Sequence, residues 1–247
     1  MKEDMHMDKN AVYLYVFDTM ADWEVGYLTA ELSSGRYYKK DLTPSKIITV
    51  GTKKTPVTTM GGLKILPDME LDEWGVENAD ALILPGGDTW TEAAHEPVLS
   101  KARQCLKEGV LVAAICGATI GLARRGLLDS CRHTSNDLGY LKMICPSYAG
   151  EQYYQQEAAV TDGKLITASG IAPLEFSVHV LKALDVFSAK TLDAWYNLYR
   201  THEPKYFYEL MDSIQYQRVQ ESVYHQRCGH QTSCNDLPLL TASLRSS

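Results

Sequence analysis

The unbroken apolar run Val110-Leu-Val-Ala-Ala-Ile115 stops at Cys116-Gly117, and this junction constrains the fold more than any other stretch. An apolar run of that length without polar alternation is a strand covered on both faces, as in the interior of a parallel sheet. Ala118–Arg125 then reads as a helix closed by Gly126. A strand that becomes a helix at a cysteine has the form of a nucleophile elbow, where a strained turn exposes one side chain above the sheet. The helix N-terminus beneath it offers free N–H groups and the positive end of a dipole, both of which favour a thiolate. A reactive Cys116 with a pKa below that of a free thiol is therefore expected. The competing reading is a buried structural cysteine at a strand end.

Strand and helix patterns alternate on either side of the junction. Val12–Phe17 reads as a buried first strand, Asp18–Ser33 as a helix, Lys46–Val50 as a second strand, and Thr55–Pro67 as a hairpin turning at Gly61-Gly62. Ala79–Leu84 is a further strand, ended by Pro85-Gly86-Gly87-Asp88, and Ala93–Glu108 is helical. Asn136–Ile144 reads as a short helix, Ala158–Val160 and Lys164–Ala168 flank an Asp162-Gly163 turn, and Pro173–Val186 is a helix with proline in its first turn. This alternation predicts an α/β sandwich, a mostly parallel sheet with helices on both faces. Ligands in such sheets bind beyond the carboxyl ends of the strands. Asp18–Glu24, Gly86–Trp90 and Cys116 all fall at such ends.

A chain of 247 residues accommodates one such domain with an extension. The net charge of −7 and the scattered basic residues exclude nucleic acid and anionic membrane as expected partners. No apolar stretch reaches membrane-spanning length, and residues 1–10 are charged where a signal peptide needs an apolar core, so a cytoplasmic location is expected. Most of the six cysteines are expected to remain thiols. After residue 187 the texture changes: 188–224 is aromatic-rich and reads as helices packed on the domain, and 225–247 is polar and reads as a flexible tail. His225, Cys228, His230 and Cys234 are spaced more tightly than usual zinc ligands, so no metal is expected.

Four segments, Ala21-Asp-Trp-Glu24, Leu84-Pro-Gly-Gly-Asp88, Ala113-Ala-Ile-Cys-Gly117 and Gly170-Ile-Ala-Pro-Leu-Glu-Phe176, occur in an order that resembles the ThiJ/PfpI family of the class I glutamine-amidotransferase-like superfamily. The resemblance spans residues 10–187. It implies a flavodoxin-like core, Cys116 as nucleophile, Glu24 as the glutamic acid that meets it, and a homodimer; no cofactor is expected. A carboxyl beside a thiolate does not readily ionise as well, so Glu24 is expected to keep its proton and donate it in a hydrogen bond; otherwise Glu24 is a solvated helix carboxylate. Gly87 and Gly117 are expected to supply an oxyanion hole, and Gly86, Asp88, Trp23 and Trp90 to border the pocket, with packing the favoured role for each tryptophan. His133 lies near where one branch of the family carries a histidine close to the cysteine, and is expected to act as general acid or base; the competing reading is a surface or hydrogen-bonded core histidine. Cys131 would share its face if the segment is extended.

Two departures narrow the chemistry. The peptidase branch places histidine directly after the cysteine, where this chain has Gly117, and the amidotransferase branch flanks it with glycines, where this chain has Ala114 and Ala118. The expected function is a cysteine-dependent enzyme, hydrolase- or lyase-like, acting on a small amide, peptide or reactive-carbonyl substrate. The alternatives are a stress or redox-sensing protein with an oxidisable Cys116, or an inactive binding module.

Overall fold

The structure, a computed structural model, describes residues 11–214. The expectations for 215–224, for the tail 225–247 and for its His/Cys cluster lie outside the described residues.

Strands β1 (Ala11–Tyr15), β2 (Lys46–Gly51), β6 (Ala79–Leu84), β7 (Leu111–Ile115) and β9 (Leu165–Ala168) pair in parallel. The short strand β5 (Met69–Glu70) extends the sheet in parallel at one edge, and β8 (Ala159–Asp162) closes the other edge antiparallel to β9. The order is β5-β2-β1-β6-β7-β9-β8. Every residue of β1, β7 and β9 is buried, as continuous apolar runs require. Strands β3 (Val57–Thr58) and β4 (Lys64–Ile65) form a separate hairpin around the Gly61-Gly62 turn.

Helix α1 (Gly26–Ser34) carries the chain from β1 to β2, and α2 (Glu96–Lys107) from β6 to β7 in the opposite direction along the sheet. Right-handed crossovers in opposite directions put these helices on opposite faces, which is the flavodoxin-like sandwich. Helix α3 (Gly117–Arg124) follows β7, α4 (Leu138–Ile144) starts at an Asp137 cap, and α5 (Pro173–Ala183) packs on α1. Helix α6 (Ala189–Thr201) and the helical residues 204–214 then lie against the domain: Trp195 is fully buried and its Nε1–H donates to Glu31 at 3.0 Å.

One element departs from the sequence pattern in a way that matters for the site. Asp18–Ala21 is not the start of a helix but a loop, followed by a 3-10 turn at Asp22–Val25 and only then by α1. The β3–β4 hairpin claims the groups a helix would have used. Thr19 N–H donates to Thr58 O, Met60 N–H to Met20 O, and the Thr59 hydroxyl and Gly61 N–H to the Asp22 carboxylate. The result holds Glu24 against the carboxyl end of the sheet.

Candidate active site

Cys116 stands between β7 and α3 with φ +59° and ψ −125°. A residue with a Cβ pays about 1–3 kcal/mol to adopt such a conformation, so the surrounding main chain must hold it. Cys116 N–H donates to Ala168 O at 3.0 Å, and the Thr119 N–H and hydroxyl donate to Cys116 O at 3.1 and 2.6 Å. The turn lifts the half-buried thiol above the strand ends, as expected of an elbow.

Two glycines let other segments approach the thiol. A Cβ at Gly170 would lie 2.7 Å from Cys116 Sγ, and one at Gly86 would lie 2.7 Å from both Cys116 Cβ and Glu24 Oε2. Neither position tolerates a side chain without moving the nucleophile or its partner.

Glu24 is fully buried, and its Oε2 accepts Gly86 N–H at 2.6 Å. Its other oxygen, Oε1, is buried with no hydrogen-bond partner among the described residues, and it and the Cys116 thiol flank the same point, since a Cβ at Gly170 would lie 3.1 Å from Oε1 and 2.7 Å from Sγ. Burial raises the Glu24 pKa above the usual carboxylate range, opposed by the Gly86 N–H and the thiol. Burial likewise pushes the Cys116 thiol up to about 11. The Glu24 charge adds to that rise, while the Asn136 amide and Gly117 N–H pull it down. This corrects the expectation of a thiol held below its free value: the helix N-terminus is present, but desolvation and the carboxylate outweigh it. Two groups this close titrate as a pair, and the singly protonated pair has its proton on Oε1 or on Sγ.

His133 is not the partner of this pair. Its ring is buried, with Nδ1 2.7 Å from Cys131 O and Nε2 2.6 Å from Tyr148 Oη. The carbonyl can only accept, so Nδ1 carries the proton and Nε2 accepts the Tyr148 hydroxyl; both ring nitrogens are thus committed away from Cys116. Burial lowers the His133 pKa and keeps the ring neutral. Cys131 also turns away, donating its thiol to Leu127 O at 3.3 Å.

The residue that this segment brings to the sulfur is Asn136, which sequence reasoning did not select. Its Nδ2 donates to Cys116 Sγ at 3.3 Å while its Oδ1 accepts Gly170 N–H at 2.8 Å. The backbone donor on Oδ1 settles the amide's orientation, so N–H and not C=O faces the sulfur. A lone asparagine before a helix cap carries no chemical signature in a sequence. Gly170 stood within a motif but not among the candidate site residues.

The remaining candidates divide. Gly117 N–H faces the sulfur, and a Cβ at Gly117 would lie 2.8 Å from Gly87 O and 3.5 Å from Gly87 N, so these two main-chain segments meet at the elbow. Asp88 is exposed and its N–H donates to Thr19 Oγ1. Trp90 has the packing role: it is buried, its Nε1–H donates to Pro85 O at 2.9 Å, and its ring packs beneath Gly117 and Gly121. Trp23 is 52% exposed. Among the described residues no cluster of three or more His, Cys, Asp or Glu is arranged to hold a metal, and no helix is long and apolar enough to cross a membrane.

The family model described as DJ-1/PfpI family matches residues 10–183. A Bacillus subtilis protein bearing the name "Uncharacterized protease YoaZ" is 57% identical over 208 residues, covering 84% of this chain and 99% of that one. The crystal structure of a thiJ/pfpI family protein from Bacillus anthracis superposes with a TM-score of 0.82 at 59% identity, covering 84% of this chain and 98% of that one. A Caenorhabditis elegans protein named glutathione-independent glyoxalase DJR-1.2 is 26% identical over 145 residues, 57% of this chain and 74% of that one.

Proposed function

The chain belongs to the DJ-1/PfpI family, and on that footing we propose that it is a cysteine-dependent enzyme in which Cys116 adds to the carbonyl carbon of a small, reactive carbonyl substrate. One observation carries this reading. Asn136 Nδ2–H and Gly117 N–H converge on Sγ, Glu24 Oε1 lies beside it, and His133 is committed elsewhere.

In the reactive form the pair's proton sits on Glu24 Oε1 and the charge on Sγ, where the two N–H donors hold it. The sulfur lone pair forms the S–C bond, the C=O π electrons move to oxygen, and the Gly87 and Gly117 N–H groups stabilise that oxyanion. Glu24 then delivers its proton to the oxygen, giving a neutral hemithioacetal and leaving a carboxylate to take the next proton. A raised carboxyl pKa suits this exchange, because it brings the acid closer to the groups it serves. Hydrolysis of an unactivated peptide is less well served, since a departing amine would have to take its proton from the same carboxyl. The protease and glyoxalase names of the relatives stand on either side of this choice. A homodimer in the cytoplasm belongs to the same proposal, supported by the family.

The experiment offers methylglyoxal, peptides and glutamine to the purified protein, its Cys116→Ala variant and its Glu24→Gln variant. Turnover of the dicarbonyl that disappears in Cys116→Ala supports the reading; equal turnover in that variant overturns it. A second reading, oxidation of Cys116 by peroxide to a sulfinate, is favoured by the same donors, which could bind sulfinate oxygens. Intact mass after peroxide titration reports it as two added oxygens on Cys116.

A further inference from the structure

Thr19 takes no part in the reaction above, yet its main chain stands in the left-handed region, with φ +71°. Three other non-glycine residues among those described do the same. Asp185 and His202 lie where α5 and α6 end, a place where this conformation is routine. The third, Cys116, is the nucleophile proposed above. A β-branched residue in that region is an outlier, and such strain persists only where surrounding contacts over-determine it. We infer that Thr19 is a positioning residue for the loop Gly86-Gly87-Asp88, fixing the Gly87 N–H that receives the oxyanion; the inference rests on the carbonyl-addition reading above.

Hydrogen bonds tie this loop to the segment between β1 and α1. Ala21 N–H donates to Gly86 O at 2.9 Å, Gly86 N–H to Glu24 Oε2 at 2.6 Å, and Asp88 N–H to Thr19 Oγ1 at 3.1 Å. Between these engaged neighbours, the Gly87 N–H has no partner among the described residues. Glu24 thus fixes the loop on one side of that N–H and Thr19 on the other. The same segment also backs Gly87 itself, since a Cβ there would lie 2.5 Å from the Phe17 ring and 2.9 Å from Thr19 O. The loop in turn meets the nucleophile, for a Cβ at Gly86 would lie 2.7 Å from Cys116 Cβ.

Thr19 is itself held from a distant part of the chain. Its N–H donates to Thr58 O at 2.9 Å, and Asp18 Oδ1 accepts the Thr58 N–H at 2.7 Å, so residues 18 and 19 are clamped to β3. The strained main chain serves that clamp while the hydroxyl serves the loop. With the backbone fixed, a β-branched side chain has little rotamer freedom, and the acceptor stays aimed at Asp88. Asp88 is exposed, so water replaces this hydrogen bond at similar energy if it is lost. Water does not replace the fixed direction of the adjoining Gly87 N–H, and preorganised direction is what makes an oxyanion donor effective.

The test follows methylglyoxal turnover, iodoacetamide alkylation of Cys116 and hydrogen exchange of the Asp88 amide in the full chain and in Thr19→Gly, Thr19→Val and Thr19→Ser. Thr19→Gly relaxes the main chain and loses the hydroxyl, Thr19→Val keeps the branching and loses the hydroxyl, and Thr19→Ser keeps the hydroxyl. Alkylation displaces iodide and builds no oxyanion, so it reports the thiol and not the loop. The value of kcat should fall by about tenfold or more in Thr19→Gly and Thr19→Val, with KM little moved, and recover in Thr19→Ser. Alkylation should stay within about threefold in all of them, and the Asp88 amide should exchange faster only where the hydroxyl is gone. Full kcat in Thr19→Gly overturns the inference, as does a Thr19→Ser protein as slow as Thr19→Val. Thr19→Gly should melt no lower than the unaltered chain, so it decides the matter even if Thr19→Val fails to fold. Exchange needs no turnover. Faster Asp88 exchange in Thr19→Gly with no methylglyoxal turnover in any protein would sink the carbonyl reading and keep Thr19 as the holder of the loop. Turnover in the unaltered chain, with Asp88 exchange the same in every variant, would do the reverse.

Discussion

Asn136 holds Cys116 through one end of its amide and Gly170 through the other, with Nδ2 3.3 Å from Sγ and Oδ1 2.8 Å from the Gly170 nitrogen. A single neutral side chain thereby sets both a donor on the sulfur and the position of the loop above it. Hydrogen bonds to charged groups contribute roughly 1.5–3 kcal/mol. Asn136→Leu should therefore slow iodoacetamide alkylation of Cys116 at neutral pH by about tenfold or more. Asn136→Asp should slow it further, because it replaces the donor with a second carboxylate. Rate against pH, with the modified peptide identified by mass, checks both.

Glu24 governs the same profile with a sign that can be worked out. Its charge is one of the causes that raise the Cys116 thiol, so removing that charge lets the thiolate form at lower pH. Glu24→Gln keeps an acceptor for Gly86 N–H and a donor for Sγ, and its alkylation midpoint should fall below the upper midpoint of the unaltered protein. Glu24→Leu loses charge and donor together, so its midpoint should lie above that of Glu24→Gln. Turnover should fall by about 10²–10⁴-fold in both, since neither carries a transferable proton. Identical pH profiles in all three proteins would rule out the coupled pair.

Gly170→Ala places a methyl group 2.7 Å from Sγ unless something moves. The variant should fold, with its melting temperature lowered by a few degrees for about 1–3 kcal/mol of overpacking. Alkylation and turnover should nevertheless collapse. Thermal unfolding beside alkylation separates the two effects; normal alkylation in a folded Gly170→Ala protein would contradict the close approach.

His133 should behave as a structural residue. His95, His133 and His179 all have pKa values lowered chiefly by burial. The unfolded chain therefore binds more protons than the folded one as pH falls through about 6.5, so stability is full above that pH and declines below it. His133→Gln should make the decline between pH 7 and 5 shallower in urea unfolding. It should also cost about 1–3 kcal/mol at pH 8, where a hydrogen-bonded buried ring is lost. Its effect on Cys116 alkylation should stay within about threefold, against the larger loss expected of a proton shuttle.

The parts of this molecule that could be read from sequence are those whose cause is local. Val110–Ile115 and Ala79–Leu84 are apolar without interruption and become interior strands, and Gly61-Gly62 turns the hairpin. Cys116 was legible because a strand, a cysteine and a helix are adjacent in the chain. What failed depended on contacts between distant segments. Helix α1 starts later than its sequence pattern predicts because residues 58–61 bind the loop at 19–22. β5 has two residues, too few for any pattern to reveal. The family resemblance points to His133 by its position in the chain, whereas reach is decided by Tyr148 and Cys131 O, which hold its ring, and it is Asn136 that extends to the sulfur. The raised thiol pKa was hidden for the same reason, since desolvation is a property of the assembled site.

The left-handed backbone at Cys116 also bears on how this chain can change over time. A glycine there would relax the turn, and with it the thiol would vanish, so Cys116→Gly should yield a firmer and inert protein. Mutational drift without use for the sulfur would run downhill towards that glycine. The cysteine is the less comfortable occupant, and a lineage that retains it does so against the preference of its own main chain.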